Sequence, residues 1–177
     1  MRDMIKMGLI LLLITAVSGL VLGVTNSMTE GIIMERAMES DRASLEVLLG
    51  DADGFEPVEG AEIDAISMVR DVFAGKQGDT VIGYAIKLAP NGYGGEIEMM
   101  VGINTNDEIT GIQILSQTET PGLGTKVAEP DFTDRFSGLS ADGDVSVDAI
   151  SGATVSSDAV VNGVNTAISL YQDFLKN

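Results

Sequence analysis

The stretch Asp148-Ala149-Ile150-Ser151-Gly152-Ala153-Thr154-Val155-Ser156-Ser157 puts a hydroxyl where a phosphate could be held or attached. Gly152 and Ala153 are small enough for another molecule to approach the backbone closely, and Thr154 follows them directly. A helix comes next. Val160, Val164, Ala167, Tyr171 and Phe174 recur at three- and four-residue intervals, with Ile168 and Leu175 beside them, so its turns present one apolar face. Ser156 or Ser157 is the expected N-cap. The unpaired N–H groups of the first turn and the positive end of the helix dipole then form a place suited to an anion. A plain turn followed by a cap would use the same Ser-Gly-Ala-Thr tetrad, so its meaning depends on its surroundings.

Composition removes most alternative chemistry. The 177 residues include no Cys, no His and no Trp. Iron–sulfur clusters need thiolates, zinc sites need Cys or His, most haem sites need an axial His or Cys, and Ser/His/Asp hydrolysis needs an imidazole. Any redox role therefore calls for an organic cofactor, and no metal site is expected. Without cysteine, the redox compartment cannot be read from disulfides. The formal charge of −17, from 27 acidic and 10 basic residues, would repel nucleic acid and anionic lipid surfaces, so no nucleic-acid partner is expected. The acidity fits either a solvated surface or a docking patch for basic redox partners.

The motif run resembles the flavinylation motif of FMN-binding domains, in which Asp, two variable residues, Ser or Thr, Gly, Ala and Thr follow in that order. The resemblance implies that Thr154 carries FMN through a phosphoester to its hydroxyl, installed by a separate flavin transferase that uses FAD. It further implies that Asp148 serves recognition by that transferase, with Ser151, Gly152 and Ala153 beside the cofactor.

The elements that must position this motif begin at a membrane. Residues 7–24 read MGLILLLITAVSGLVLGV without a charge, close to the minimum that spans a hydrocarbon core as a helix. Arg2 and Lys6 precede the run, and the first charge after it is Glu30, so residues 1–6 are expected in the cytoplasm and everything after about residue 25 outside. A cleaved signal peptide is the competing reading, since Val21-Leu22-Gly23 offers small or modest residues to a peptidase. The length of the apolar run favours the anchor. Residues 25–50 form a membrane-proximal helix, with Ile33, Met34, Ala37, Met38, Leu45, Leu48 and Leu49 at mainly helical spacings and Gly50 as its stop. Asp51-Ala52-Asp53-Gly54 reads as a turn, because its glycine comes too early for an EF-hand loop and no glutamate completes one.

Residues 51–177 are expected to form one domain. Strands are expected at Ser67–Ala74, Thr80–Leu88, Glu96–Ile103 and Ile109–Leu115, with Gly75–Asp79 as a hairpin loop and Asn104–Glu108 as a turn. In the third strand Ile97, Met99, Val101 and Ile103 share a face. Four sequential strands with short connections imply an antiparallel meander, and flanking helices with one sheet face to cover make the fold α+β.

Two glycine loops interrupt the sheet region. Pro90-Asn91-Gly92-Tyr93-Gly94-Gly95 brings an aromatic ring and accessible backbone to one place, and Glu119-Thr120-Pro121-Gly122-Leu123-Gly124-Thr125 flanks a rigid turn with a carboxylate and hydroxyls. Each alone could be a simple turn. Together with the threonine motif, behind one membrane segment, they resemble the G subunit of the Rnf electron-transport complex and the related C subunit of the sodium-pumping NADH:quinone oxidoreductase.

That resemblance implies an outward-facing FMN domain that relays electrons among the other membrane and redox subunits of a complex coupling ferredoxin oxidation and NAD reduction to ion transport. The isolated chain would show no turnover and holds no catalytic residue of its own. Thr154 would be a tether. Glu119, Thr120, Gly122, Leu123 and Thr125 would form the ring platform, joined by Tyr93, while N–H groups near Ser156 and Ser157 would take the remaining phosphate oxygens. A subunit of the related sodium pump, another flavinylated extracytoplasmic carrier and a non-redox membrane-tethered binding module remain alternatives.

Overall fold

The alternating run Ile97, Met99, Val101, Ile103 is the spine of the domain, and all four side chains are fully buried. The computed structural model describes residues 2–60, 63 and 65–176, with side-chain surroundings given for 6–20, 22 and most residues from 41 onward. The chain divides into two compact units, Met1–Ser40 and Asp41–Asn177.

Helix α1 (Arg2–Leu48) opens the chain. In its first part Met7, Leu9, Ile10, Leu11, Leu12, Leu13, Ile14, Val17, Leu20 and Leu22 are all more than half exposed. Among the described residues no helix is long and apolar enough to cross a membrane. The apolar run at 7–24 includes residues 21, 23 and 24, whose side chains lie outside that set, as do those of Arg2, Ile33, Met34, Ala37 and Met38.

The second unit is a five-stranded antiparallel sheet in sequential order: β1 (Gly54–Pro57), β2 (Val69–Gln77), β3 (Thr80–Leu88), β4 (Glu98–Asn104) and β5 (Ile109–Ser116). The meander and the α+β class are as expected. Strand β1 is an addition. It begins at Gly54, the last residue of the expected turn, and pairs Gly54 through Pro57 with Lys76 through Phe73. Four residues with no apolar alternation give no strand signal of their own; pairing to an exposed edge creates this one.

The β2–β3 connection is shorter than the expected loop over 75–79. Only Gly78 and Asp79 remain outside the strands, a two-residue hairpin. Gly75 belongs to the sheet because its missing side chain is a packing requirement: a Cβ there would lie 2.8 Å from Leu49 Cδ1. A glycine that punctuates the sequence here marks a close approach of two layers.

Both sheet faces are covered, where one was expected. On one side Met99, Val101, Ile103, Ile109 and Ile112 pack against helix α3 (Thr154–Leu170) and against Val127, Phe132 and Phe136. The last three come from a run of short turns, a 3-10 turn at Gly124–Ala128, helix α2 (Pro130–Thr133) and a second 3-10 turn at Asp134–Phe136. On the other side Leu45, Leu48 and Leu49, from the end of α1 and just past it, pack on Ala85 and Met100. This layer is pinned by Lys87, only 8% exposed, whose ammonium donates to Asp41 at 2.9 Å and pairs with Glu98 at 3.2 Å. Burial works against that charge, but hydrogen bonds and attraction from Asp41 and Glu98 outweigh it and hold the Lys87 pKa above its usual value.

Val160, Val164, Ala167, Ile168, Tyr171 and Leu175 form the buried face of the C-terminal helix, as their spacing predicts, but Phe174 is 48% exposed. Its place in the face fails because Tyr171–Leu175 is a π turn, closed by Lys176 N–H donating to the Tyr171 carbonyl. The wider turn advances the buried register from 174 to 175.

Candidate functional site

Two turns of the same chemistry frame a cleft. In the first, Ala153 N–H donates to the Ile150 carbonyl at 2.9 Å, and Gly152 takes φ +80° at the third position, the place a type II turn reserves for glycine. In the second, Leu123 N–H donates to the Thr120 carbonyl at 3.1 Å, Pro121 sits at the second position and Gly122 takes φ +75°. Between them lies a cleft of about 520 Å³, a size typical of small-ligand sites, lined by Tyr93, Glu119, Thr120, Leu123, Gly124, Gly152, Ala153, Thr154, Val155 and Ser156.

The start of α3 is one wall. Its N-cap is Ala153, which has no side chain able to cap, and the helix starts at Thr154. The expected caps, Ser156 and Ser157, therefore lie inside the first turn and are 2% and 0% exposed. The turn at Gly152 delivers the chain into helical geometry three or four residues early, which leaves the N–H groups of Thr154, Val155 and Ser156 without intrahelical partners. Ser157 does not reach the cleft. Its hydroxyl donates to the Ala153 carbonyl at 3.0 Å and accepts from Ile150 N–H at 3.0 Å, so it staples the turn that presents Thr154. Thr154 itself is exposed.

Glu119 is the other organising residue. It is 5% exposed; its Oε1 accepts from Gly94 N–H at 2.9 Å and its Oε2 accepts from the Ser156 hydroxyl at 2.6 Å. It thus joins the Tyr93 loop and the Thr120–Gly124 turn to the first turn of α3. Tyr93, Leu123 and Val155 line the cleft with 72%, 45% and 53% exposure and give it most of its apolar surface. Leu123 also reaches across, because a Cβ on Gly152 would lie 3.4 Å from its Cδ2.

The remaining expected residues support the cleft from outside. Thr125 Oγ1 accepts from Gly122 N–H at 3.0 Å, fixing the second turn. Ser151 and Asp148 are exposed and do not line the cleft. The main-chain carbonyl of Asp148 accepts from Arg135 Nη1 at 2.7 Å, so Arg135 anchors the approach to the motif. Gly124 and Val155 were not singled out as site residues. Val155 carried a signal: an apolar residue at the start of an amphipathic helix, off its buried stripe, is a large side chain without a core to enter.

Comparison with known proteins decides the family. Residues 92–169 match the FMN-binding domain. The G subunit of the Na(+)-translocating ferredoxin:NAD(+) oxidoreductase complex of Acetobacterium woodii is 35% identical over 193 residues, covering 97% of this chain and 93% of that one. The chain belongs to the Rnf G-subunit family. The G subunit of the ion-translocating oxidoreductase complex of Methanosarcina acetivorans, another family member, is 32% identical over 176 residues, with 94% of each chain covered. Among solved structures, NqrC of Shewanella oneidensis superposes with a TM-score of 0.56 over 78% of this chain and 96% of that one, at 17% identity. The C subunit of the Na(+)-translocating NADH-quinone reductase from Parabacteroides distasonis gives 0.51 over 69% and 73%, at 24% identity. These two likenesses concern the fold. The FMN-binding domain match takes in the first glycine loop from Gly92 on, the whole of the second and the threonine motif, the parts that meet around the cleft.

Proposed function

We propose that this chain is the FMN-carrying electron-relay subunit of an ion-translocating ferredoxin:NAD oxidoreductase, with the flavin joined through its phosphate to Thr154. The observation that carries the reading is the exposed residue Thr154 at the uncapped start of α3, on the wall of a cleft large enough for a flavin. The donor set suits the cofactor. Unpaired N–H groups of the first helical turn suit phosphate oxygens, and Leu123, Val155 and Tyr93 offer apolar surface to a flat ring.

When bound, FMN supplies the one- and two-electron chemistry that the side chains of this chain lack. Attachment balances as a transfer from FAD: the Thr154 oxygen forms the new bond to the FMN phosphorus, the pyrophosphate bond breaks, and AMP leaves with the threonine proton passing to a base of the transferase. Asp148, exposed ahead of the motif, is available to that enzyme, and Ser151 is exposed in the turn that follows it. Gly152 and Ala153 leave room over the backbone, Thr120 and Gly124 complete the walls, and Glu119 and Thr125 hold the turns that support them.

The first part of α1 is read as a single membrane span over 7–24, with residues 1–6 cytoplasmic and the domain outside. A helical run without a charge, with the apolar side chains from Met7 to Leu20 and that of Leu22 left uncovered, suits a lipid surround better than water. Covalent attachment suits an outward location, where a dissociated flavin would be lost. Its partners are the other membrane and redox subunits of the complex.

Mass spectrometry of the intact chain co-expressed with a flavin transferase, followed by peptide mapping, tests the reading. An FMN increment on the peptide containing Thr154, with residues 1–24 retained, is the expected result. A colourless chain of unmodified mass would sink it, and loss of the first two dozen residues would remove the anchor alone.

A further inference from the structure

We propose that Glu119 is a positioning residue whose buried carboxylate braces the cleft and sets its electrostatic field, so that a flavin seated there is reduced at a lower potential than beside a neutral side chain. This rests on the reading of the cleft as a flavin site. Both oxygens are engaged, Oε1 by Gly94 N–H at 2.9 Å and Oε2 by the Ser156 hydroxyl at 2.6 Å, the second within the short range of hydroxyl bonds to an ionised carboxylate. The surroundings are cut to its shape. A Cβ on Gly124 would lie 2.6 Å from Oε2, and one on Gly92 would collide with Oε1.

Among the described residues no Lys or Arg forms an ion pair with Glu119. Its charge is held by two donors and by the start of α3. The helix terminus carries roughly half a positive charge, against a full negative one on the carboxylate. Where both stand beside the same cleft, the carboxylate prevails and opposes further negative charge in that space. The relatively low local dielectric of a buried site keeps this opposition from being fully screened.

The test uses the full-length flavinylated chain. Glu119→Gln keeps the shape and removes the charge, and it is expected to raise the flavin midpoint potential in a spectroelectrochemical titration; Glu119→Asp keeps the charge and leaves the potential near that of the parent. An unchanged potential in Glu119→Gln with flavin attached overturns the electrostatic role. If Glu119→Gln accepts no flavin, Ser156→Ala decides: with the carboxylate less screened the potential falls, and a potential that stays or rises overturns the proposal. The brace is read without flavin, by amide exchange at Gly94, which quickens roughly tenfold or more in Glu119→Ala. Unchanged exchange overturns the brace. A parent chain that takes no flavin overturns the reading of the cleft, and the exchange measurement still decides the brace.

Discussion

The two ends of α3 and its continuation are built in opposite ways. At the N-terminal end the cap is an alanine, three N–H groups have no helical partner, and the neighbouring large side chains Tyr93, Leu123 and Val155 face outward. At the C-terminal end three polar side chains are answered from within the chain. The Tyr171 hydroxyl donates to Asp107 at 2.9 Å, Lys176 donates to Asp107 at 2.8 Å, and Gln172 donates to the Ala141 carbonyl. The C-terminal end ties its side chains into the fold, whereas at the N-terminal end the serine hydroxyls are used internally and only the first-turn N–H groups are left without helical partners. The contrast distinguishes the cleft end from the other in a way the helix periodicity does not, since that periodicity runs through both ends alike.

The largest effect expected from breaking this contrast is at Thr154. Thr154→Ala or Thr154→Val should abolish attached flavin completely, seen as loss of in-gel fluorescence and of the mass increment, while the thermal midpoint of the apo chain stays close to that of the parent. A flavin that persists in either variant would move the attachment elsewhere. The mirror experiment is Ile168→Ala toward the closed end. Ile168 is 1% exposed, so its truncation should cost about 2–5 kcal/mol in denaturant unfolding and still permit flavin attachment.

A smaller effect is expected at Tyr171. Burial, then the hydrogen bond to the Asp107 carboxylate, push its pKa up from 10.0 to about 12. The raised value means that its contribution to stability is fully present below the unfolded pKa of 10.0 and is lost as pH rises through about 12. Tyr171→Phe should cost about 1.5 kcal/mol at neutral pH and remove the tyrosinate transition near pH 12 from an ultraviolet titration. The smallest effect belongs to Lys176→Ala. Its partner Asp107 is held below the usual carboxylate range, by hydrogen bonds from Lys176 and then Tyr171. Because Lys176 is 43% exposed, the midpoint should drop less than in Tyr171→Phe, and the difference from the parent should shrink further in high salt.

Strands β2 to β5 were legible because alternation along a half-buried ribbon leaves a mark in the residues themselves. Strand β1 was not, since Gly54–Pro57 owes its form to the edge of β2. The second covered face was hidden for a related reason: Ala85 and Met100 look like ordinary strand residues until Leu45, Leu48 and Leu49 arrive from far along the chain. At the site the motif, both glycine turns, Glu119 and Tyr93 could be named in advance. The direction of the serine hydroxyls could not, because a cap and a buried first-turn serine share one composition and differ only in where the helix begins.

What the amino-acid order determined by itself was chemical. The absence of thiol and imidazole, the threonine after Ser-Gly-Ala and the turn residues at their fixed offsets depend on residue type and short spacing alone. What the tertiary structure decided was convergence. The Tyr93 loop, the Glu119 turn and the start of α3 are separated by tens of residues, and their meeting depends on the sheet bringing them to one place and on a buried carboxylate that no local rule could have assigned to Gly94 and Ser156.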